Sequence, residues 1–359
     1  MEVVIHGGTH KTGTTSFQNY LKAERDRLVS EGVHAFPLPR QVNVRNDAKF
    51  DPAWIKEKLD CANSAQAQIV LFSHEIISTF THDQLSQLVE LMGPYRTHYV
   101  VAFRHWSSYL RSRWMQNCSR RDSQSFQSFL ARIQSDFSRR IDARFDLVVQ
   151  NATQAGFDQV SVISYDNCAS QGQSLGVCET LAGACGVPVP RSSQQPIRAN
   201  KSAETTREAD MTRLFNGARA ESLRLEPNAL FDRFDHCREA LIPEFFDQTE
   251  RVSQLLKADR DLAAELTSLL DMSMSTVQLP ADDFAPWCSA LEEVVAGSVV
   301  NPIDGKLFPE PVCVAVESST LEWAELPQDL RVRMAQTVEA PAQIPKVRSG
   351  AKALLRRFR

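Results

Sequence analysis

The chain has 359 residues, 43% of them hydrophobic and 23% charged, which describes a globular chain long enough for a substantial core in one large domain or two. A formal net charge of -4 gives no general basic field, so bulk electrostatics do not suggest binding along nucleic acid, and any anion site must be local. Cysteines 61, 118, 168, 178, 185, 237, 288 and 313 form no C-x-x-C pair and no zinc-like Cys/His spacing, which argues against a disulfide framework or a structural metal.

In chain order, short apolar runs alternate with longer amphipathic stretches, the pattern of β-α-β units around a parallel sheet. Strands are predicted near 2–6, 68–72, 98–103 and 159–164. The chain opens on the first of these rather than on a basic segment followed by a long apolar one, and no run has the length to span a bilayer. The expected home is a reducing cytoplasm. The first helix is predicted from about Thr14, with Phe17, Tyr20, Leu21 and Leu28 on one face and Gly32 at its C-terminal cap. Further helices are expected within 51–63, 83–92, 106–117, 123–136, 142–155 and 173–185. From about Lys201 to Met272 the pattern is almost wholly helical, with no clear strand. Residues 280–345 are proline-richer and resist assignment. The last stretch, KVRSGAKALLRRFR, carries six basic residues and no acid. It reads as a solvated tail, a frayed amphipathic helix, or a peripheral contact with a membrane surface or acidic partner.

The segment GGTHKTGTTSF, residues 7–17, joins the first strand to the first helix. A glycine-rich turn there places backbone N–H groups and the positive end of a helix around an anion. The common phosphate loop, G-x-x-x-x-G-K-[ST], has its lysine directly after the second glycine; here Thr14 and Thr15 follow Gly13, and the lysine is Lys11. That departure weakens an ATPase reading. A magnesium-dependent NTPase also wants an aspartate at the end of a nearby strand, whereas Ile69-Val70-Leu71-Phe72 runs into Ser73-His74-Glu75. After the third predicted strand, Arg104 leads into a helix with Ser108, Ser112 and Gln116 at intervals of four, hence on one face. The carboxyl ends of parallel strands share a crevice, so Lys11, His74 or Glu75, and Arg104 are expected to converge. A loop plus an Arg104–Ser112 clamp suits a ligand with two separated anionic groups.

With these motifs the chain resembles the sulfotransferases that use 3′-phosphoadenosine 5′-phosphosulfate (PAPS). Their 5′-phosphosulfate loop reads K-[ST]-G-T-T, matched by Lys11, Thr12, Gly13, Thr14 and Thr15 with Ser16 following. Their 3′-phosphate motif is an arginine at a strand end and a serine eight residues on, matched by Arg104 and Ser112. VSVISYDN resembles their strand ending in Tyr-Glu-Asp, which makes Tyr165 a candidate adenine neighbour with Asp166 where glutamate is usual. RANKS, 198–202, resembles an Arg-x-Asn-x-Ser stretch of bacterial members. The resemblance covers about the first 215 residues. It implies a phosphate-loop α/β fold with a parallel sheet flanked by helices and a largely helical C-terminal half. The corresponding domain is 1–280, with a nucleotide-binding core in about 1–190 and a helical part in about 200–275; an extension, 281–359, ends in the basic tail 346–359.

The resemblance also implies an activity: transfer of the sulfuryl group from PAPS to an acceptor hydroxyl by in-line displacement, with Lys11 at the leaving group and no metal. Sulfate esters carry less negative charge than phosphate esters, so magnesium can be dispensed with. Either His74 or Glu75 is the candidate base; His10 and His34 rank behind them. On an extended segment the two neighbours would point oppositely, leaving one to face the acceptor. The acceptor is expected to be a hydroxyl-bearing small molecule, sugar or lipid. Arg111, Arg113, Arg120 and Arg121 suit an anionic acceptor or form a solvated helix face. A variant phosphate-loop kinase or NTPase, and a non-catalytic nucleotide-binding protein of the same fold, are the alternatives. Trp106 and Trp114 read as packing residues.

Overall fold

The computed structural model describes residues 1–9, 11–37, 52–120, 122–137, 143–170, 176–189, 205–222, 248–303, 306–308 and 314–339. His10, Arg121, the RANKS stretch and the basic tail lie outside the described residues. The fold is α/β, with a five-stranded parallel sheet flanked by helices and a helical C-terminal half.

Four sheet strands coincide with the predicted apolar runs: β1 (Glu2–His6), β3 (Ile69–Ser73), β4 (Arg96–Phe103) and β5 (Gln159–Ser164). The fifth, β2 (Val33–Pro37), was not predicted. It is an edge strand in the order β2-β3-β1-β4-β5, short and closed by a proline, which is the chemistry a sheet edge tolerates. The other four are nearly continuous in their burial because both faces are covered. Strand alternation divides that burial. Val3 and Ile5 join an apolar cluster with Leu59, Leu88, Phe103 and Phe145, while Val4 packs on the opposite side with Phe17, Leu71, Val100 and Ile163.

The predicted first helix is two pieces, α1 (Thr14–Ala23) and α2 (Arg25–Ser30), joined at Glu24. Phe17, Tyr20, Leu21 and Leu28 are all buried, and Gly32 follows at φ 78°, where a left-handed turn favours glycine. Next come α3 (Pro52–Ser64), α4 (His82–Met92), α5 (Trp106–Arg120), α6 (Phe126–Ser135), α7 (Phe145–Gln154), the short α8 (Tyr165–Ser170) and α9 (Gly176–Ala184). Trp106 and Trp114 are fully buried.

The later part contains α10 (Thr206–Ser222), α11 (Gln248–Ala258), α12 (Arg260–Met272), α13 (Ala285–Val295) and α14 (Gln328–Glu339). It also contains two strands, β6 (Met274–Leu279) and β7 (Val314–Ser319), paired antiparallel. Both lie beyond the stretch to Met272 read as helical: β6 follows it directly, and β7 falls in the proline-richer part that the sequence pattern leaves unassigned. β6 is mostly exposed, so it lacks the apolar alternation that marks a half-buried strand. The stretch after 280 divides its side chains between two cores. Phe284, Leu291, Val295, Leu307 and Phe308 join the cluster on one sheet face, whereas Trp323, Leu326, Leu330 and Met334 pack with α10, α11 and α12.

A fully buried ion pair ties α10 to its surroundings. Arg213 Nε donates to Asp210 Oδ1 at 2.8 Å and Arg213 Nη2 to the Ser319 carbonyl at 3.0 Å, while the Ser319 N–H donates to Asp210 Oδ2 at 2.9 Å. Each charge has its counter-charge and further hydrogen bonds, the condition under which burial is tolerated.

Candidate functional site

β1 lies between β3 and β4, and the chain crosses from one side of it to the other, so the carboxyl end of β1 is the switch point where an open α/β sheet offers a crevice. Beyond β1 the backbone stays beside β4: Gly7 N–H donates to the Val100 carbonyl at 2.9 Å, and the Thr9 hydroxyl donates to the Ala102 carbonyl at 2.8 Å. It then turns tightly. The Thr12 hydroxyl donates to the Thr9 carbonyl at 2.6 Å, and Lys11 (φ 67°) and Gly13 (φ 80°) both adopt left-handed backbone. Left-handed conformation is ordinary for glycine and costs energy for lysine, so the turn sets Lys11 at a strained position.

Gly13 is the N-cap of α1 and supplies no capping side chain; no acidic residue occupies the first turn, which brings Thr14, Thr15 and Ser16 to the positive end of the helix. Thr14 Oγ1 is buried without a hydrogen-bond partner. Gly8 lies directly against it: a Cβ there would meet Thr14 Oγ1 at 2.3 Å and His6 Nε2 at 2.9 Å. Only glycine lets the loop close over these two polar atoms. A buried hydroxyl left without a partner at a helix N-terminus suits an incoming anion oxygen.

His6 ends β1 fully buried. Its Nδ1 is 2.8 Å from Ser73 Oγ, its ring meets Phe17 edge-on, and its Nε2 has no partner. Burial pushes its pKa down to about 3, so the imidazole is neutral at working pH. His6 also anchors the candidate bases, because its carbonyl accepts from the His74 N–H at 3.0 Å, while Gln18 Nε2 donates to the Ser73 carbonyl at 3.1 Å. His74 and Glu75 thus sit at the carboxyl end of the strand beside the loop. Glu75 opens a 3₁₀ turn, Glu75–Thr79, and does not continue an extended strand, so the strand-alternation argument for opposite orientations does not hold here.

The second cluster lies one strand over, where Arg104 follows β4. Its Nε donates to Ser108 Oγ at 2.8 Å and its Nη1 to Ser112 Oγ at 3.3 Å. The expected Arg104–Ser112 pairing is therefore formed. The guanidinium lies 5.0 Å above the Tyr165 ring centre, within cation–π range, and 4.0 Å from Asp166 Oδ1. Asp166 Oδ2 accepts the His105 N–H at 2.6 Å, and the Ser108 hydroxyl is 3.3 Å from Oδ1. Two serines, an aromatic face and a carboxylate hold one partly exposed arginine, whose Nη2 has no partner among the described residues. Tyr165 also reaches the loop, since a Cβ on Gly13 would lie 4.0 Å from its Cε2. The glycine loop and the Arg104 cluster are thus contiguous through Tyr165.

His105 backs this clamp. Its Nδ1 is 2.7 Å from Ser107 Oγ and 3.3 Å from the Ser107 backbone nitrogen, and its Nε2 is 3.7 Å from Cys288 Sγ. Phe284 and Phe308 meet its ring edge-on, and burial lowers its pKa against the opposing pull of Asp166. Sequence reasoning did not give His6, Ser108 or Asp166 a place in the site. Ser108 was legible as a member of the α5 serine face, and Asp166 as the neighbour of Tyr165; His6 carried no signal beyond its place before the glycines.

Arg111 and Arg113 are half-buried on α5. At the opposite edge of the sheet an open cleft of about 530 Å³ is lined by Tyr95, Arg96, Thr97 and Asp158. The Asp158 carboxylate there accepts from the Thr97 N–H at 2.8 Å and from the Thr97 hydroxyl at 3.1 Å. Among the described residues no group of His, Cys, Asp or Glu is arranged to hold a metal ion, and no helix is long and apolar enough to cross a membrane. Compared with known proteins, the chain matches no family model, no curated protein and no solved structure.

Proposed function

We propose that this chain is a sulfotransferase that moves the sulfuryl group of PAPS to a hydroxyl of a small-molecule, sugar or lipid acceptor. The observation that carries the reading is the contiguity of two anion-binding groups of different construction. One is the glycine loop at the α1 N-terminus, with the partnerless Thr14 hydroxyl beneath it; the other is the Arg104–Ser108–Ser112 clamp beside Tyr165. A nucleotide with a 5′-phosphosulfate and a 3′-phosphate presents two such anions at fixed separation.

On this reading the loop N–H groups, Thr14 and Lys11 hold the phosphosulfate and neutralise charge that grows on the leaving phosphate oxygen. Arg104 and Ser112 hold the 3′-phosphate. His74 and Glu75 are the candidate bases: one takes the acceptor proton as the acceptor oxygen bonds to sulfur and the sulfur–oxygen bond to the 5′-phosphate breaks. The described cysteines 61, 118, 168, 178, 185 and 288 are free thiols, which fits work in a reducing cytoplasm. The test is formation of 3′-phosphoadenosine 5′-phosphate from PAPS with panels of sugar, phenol and lipid acceptors, without added metal. Turnover by the wild type, reduced about 10²–10³-fold in Lys11→Ala, is expected. Turnover only with ATP and magnesium would instead favour a kinase.

A further inference from the structure

We infer that Asn301 is a positioning residue for the Arg104 clamp, fixing from behind the β5–α8 junction from which Tyr165 and Asp166 project. The inference rests on the proposed role of that clamp in binding the 3′-phosphate.

β5 is the last strand of the sheet, and the segment after α13 closes its outer side. Val162 N–H donates to the Ser298 carbonyl at 2.8 Å and Val300 N–H to the Val162 carbonyl at 2.9 Å. One step further along, the backbone partner is replaced by a side chain. Asn301 Oδ1 accepts the Ser164 N–H at 2.8 Å, and Asn301 Nδ2 donates to the Ser164 carbonyl at 2.9 Å, across 137 residues of sequence. The carboxamide completes the edge pairing of the residue that directly precedes Tyr165. It also lies 3.2 Å from Cys168 Sγ, and Asn167 Nδ2 returns a bond to the Asn301 carbonyl at 2.9 Å and another to the Leu307 carbonyl at 3.0 Å.

These bonds grip residues 164, 167 and 168, on both sides of Tyr165 and Asp166. α8 has only six residues, too few to hold a direction by its own backbone bonds. Its orientation therefore depends on this grip, and with it the Asp166 carboxylate that fixes the His105 N–H and the Tyr165 face beneath Arg104. The glycine loop is tied instead to β4 and does not share these bonds. The consequence is selective: loss of Asn301 should loosen the 3′-phosphate end and spare the 5′ end.

The experiment compares wild type, Asn301→Ala, Asn301→Asp and Arg104→Ala in calorimetric titrations with 3′-phosphoadenosine 5′-phosphate and with adenosine 5′-phosphosulfate, which lacks the 3′-phosphate. Melting curves confirm folding. Losing two hydrogen bonds that hold the junction should weaken the 3′-phosphorylated ligand about tenfold in Asn301→Ala. The other ligand should change by no more than about twofold. Asn301→Asp, which keeps the acceptor and loses the donor, should fall between wild type and alanine. Amide hydrogen exchange on the unliganded variants supplies a readout independent of nucleotide: the Ser164 and His105 amides should lose protection in Asn301→Ala while the Gly7 and His74 amides keep theirs. Equal weakening of both ligands, unchanged affinity in a folded Asn301→Ala, or retained protection at His105 would overturn the inference. Failure of the wild type to bind either nucleotide would overturn the sulfotransferase reading, and the exchange pattern would still decide whether Asn301 holds the clamp.

Discussion

His6 makes the fold acid-sensitive in a calculable way. In the unfolded chain an imidazole takes up its proton near pH 6.5, whereas the buried His6 does so only at about pH 3. Between those values the unfolded state binds a proton that the folded state does not, so stability is fully present above about pH 6.5 and falls as pH drops. The loss is about 1.4 kcal/mol per pH unit, or about 2 kcal/mol at pH 5. The assay is urea unfolding at pH 7, 6 and 5 for the wild type and His6→Asn, a variant that keeps a hydrogen-bonding atom near Ser73 and does not titrate. The variant will start from its own stability at pH 7, so the informative quantity is the slope. The wild type should lose about 2 kcal/mol more than His6→Asn between pH 7 and pH 5. Parallel slopes would show that His6 is hydrated or protonated in the folded state, and would remove the neutral buried imidazole from the base of the loop.

Two further outcomes follow from packing. Asp210→Ala removes the nearer, hydrogen-bonded carboxylate of Arg213, leaving only Glu322 Oε2 at 3.9 Å, and takes the acceptor from the Ser319 N–H, so denaturant unfolding should show a loss of about 3 kcal/mol; a loss below about 1 kcal/mol would mean water or Glu322 takes over the pairing. Gly13→Ala forces a side chain into left-handed backbone at φ 80° with a Cβ 2.8 Å from Val177 Cγ1. It should cost about 1–2 kcal/mol in the same assay and weaken any ligand of the loop, and unchanged stability would contradict the backbone assigned to the loop.

The legible parts of the fold are those in which one local property decides the structure. Val3-Val4-Ile5 and the run through Phe103 read as strands because burial on both faces demands uninterrupted apolar residues. The α5 serines were legible because a period of four puts Ser108 and Ser112 on one face, and the structure places both on Arg104. β2 was illegible because an edge strand asks for little apolar content, and β6 because its exposed residues carry no alternation. Tyr165 was expected beside adenine; its ring carries the Arg104 guanidinium, a pairing that depends on two strands meeting in register and that no local pattern encodes. Asn301 is the extreme case, since nothing within the stretch around it marks a partner 137 residues earlier.

On the proposed function, the loop and the Arg104 clamp bind the two ends of one nucleotide without metal. Calorimetric titration of the purified protein with 3′-phosphoadenosine 5′-phosphate in chelator decides this, with magnesium-ATP as the comparison and Lys11→Ala and Arg104→Ala as controls. Binding should be metal-independent and weakened by each substitution, by about 1.5–3 kcal/mol for the charged hydrogen bonds of Arg104. Preference for magnesium-ATP, or binding indifferent to Arg104, would contradict it.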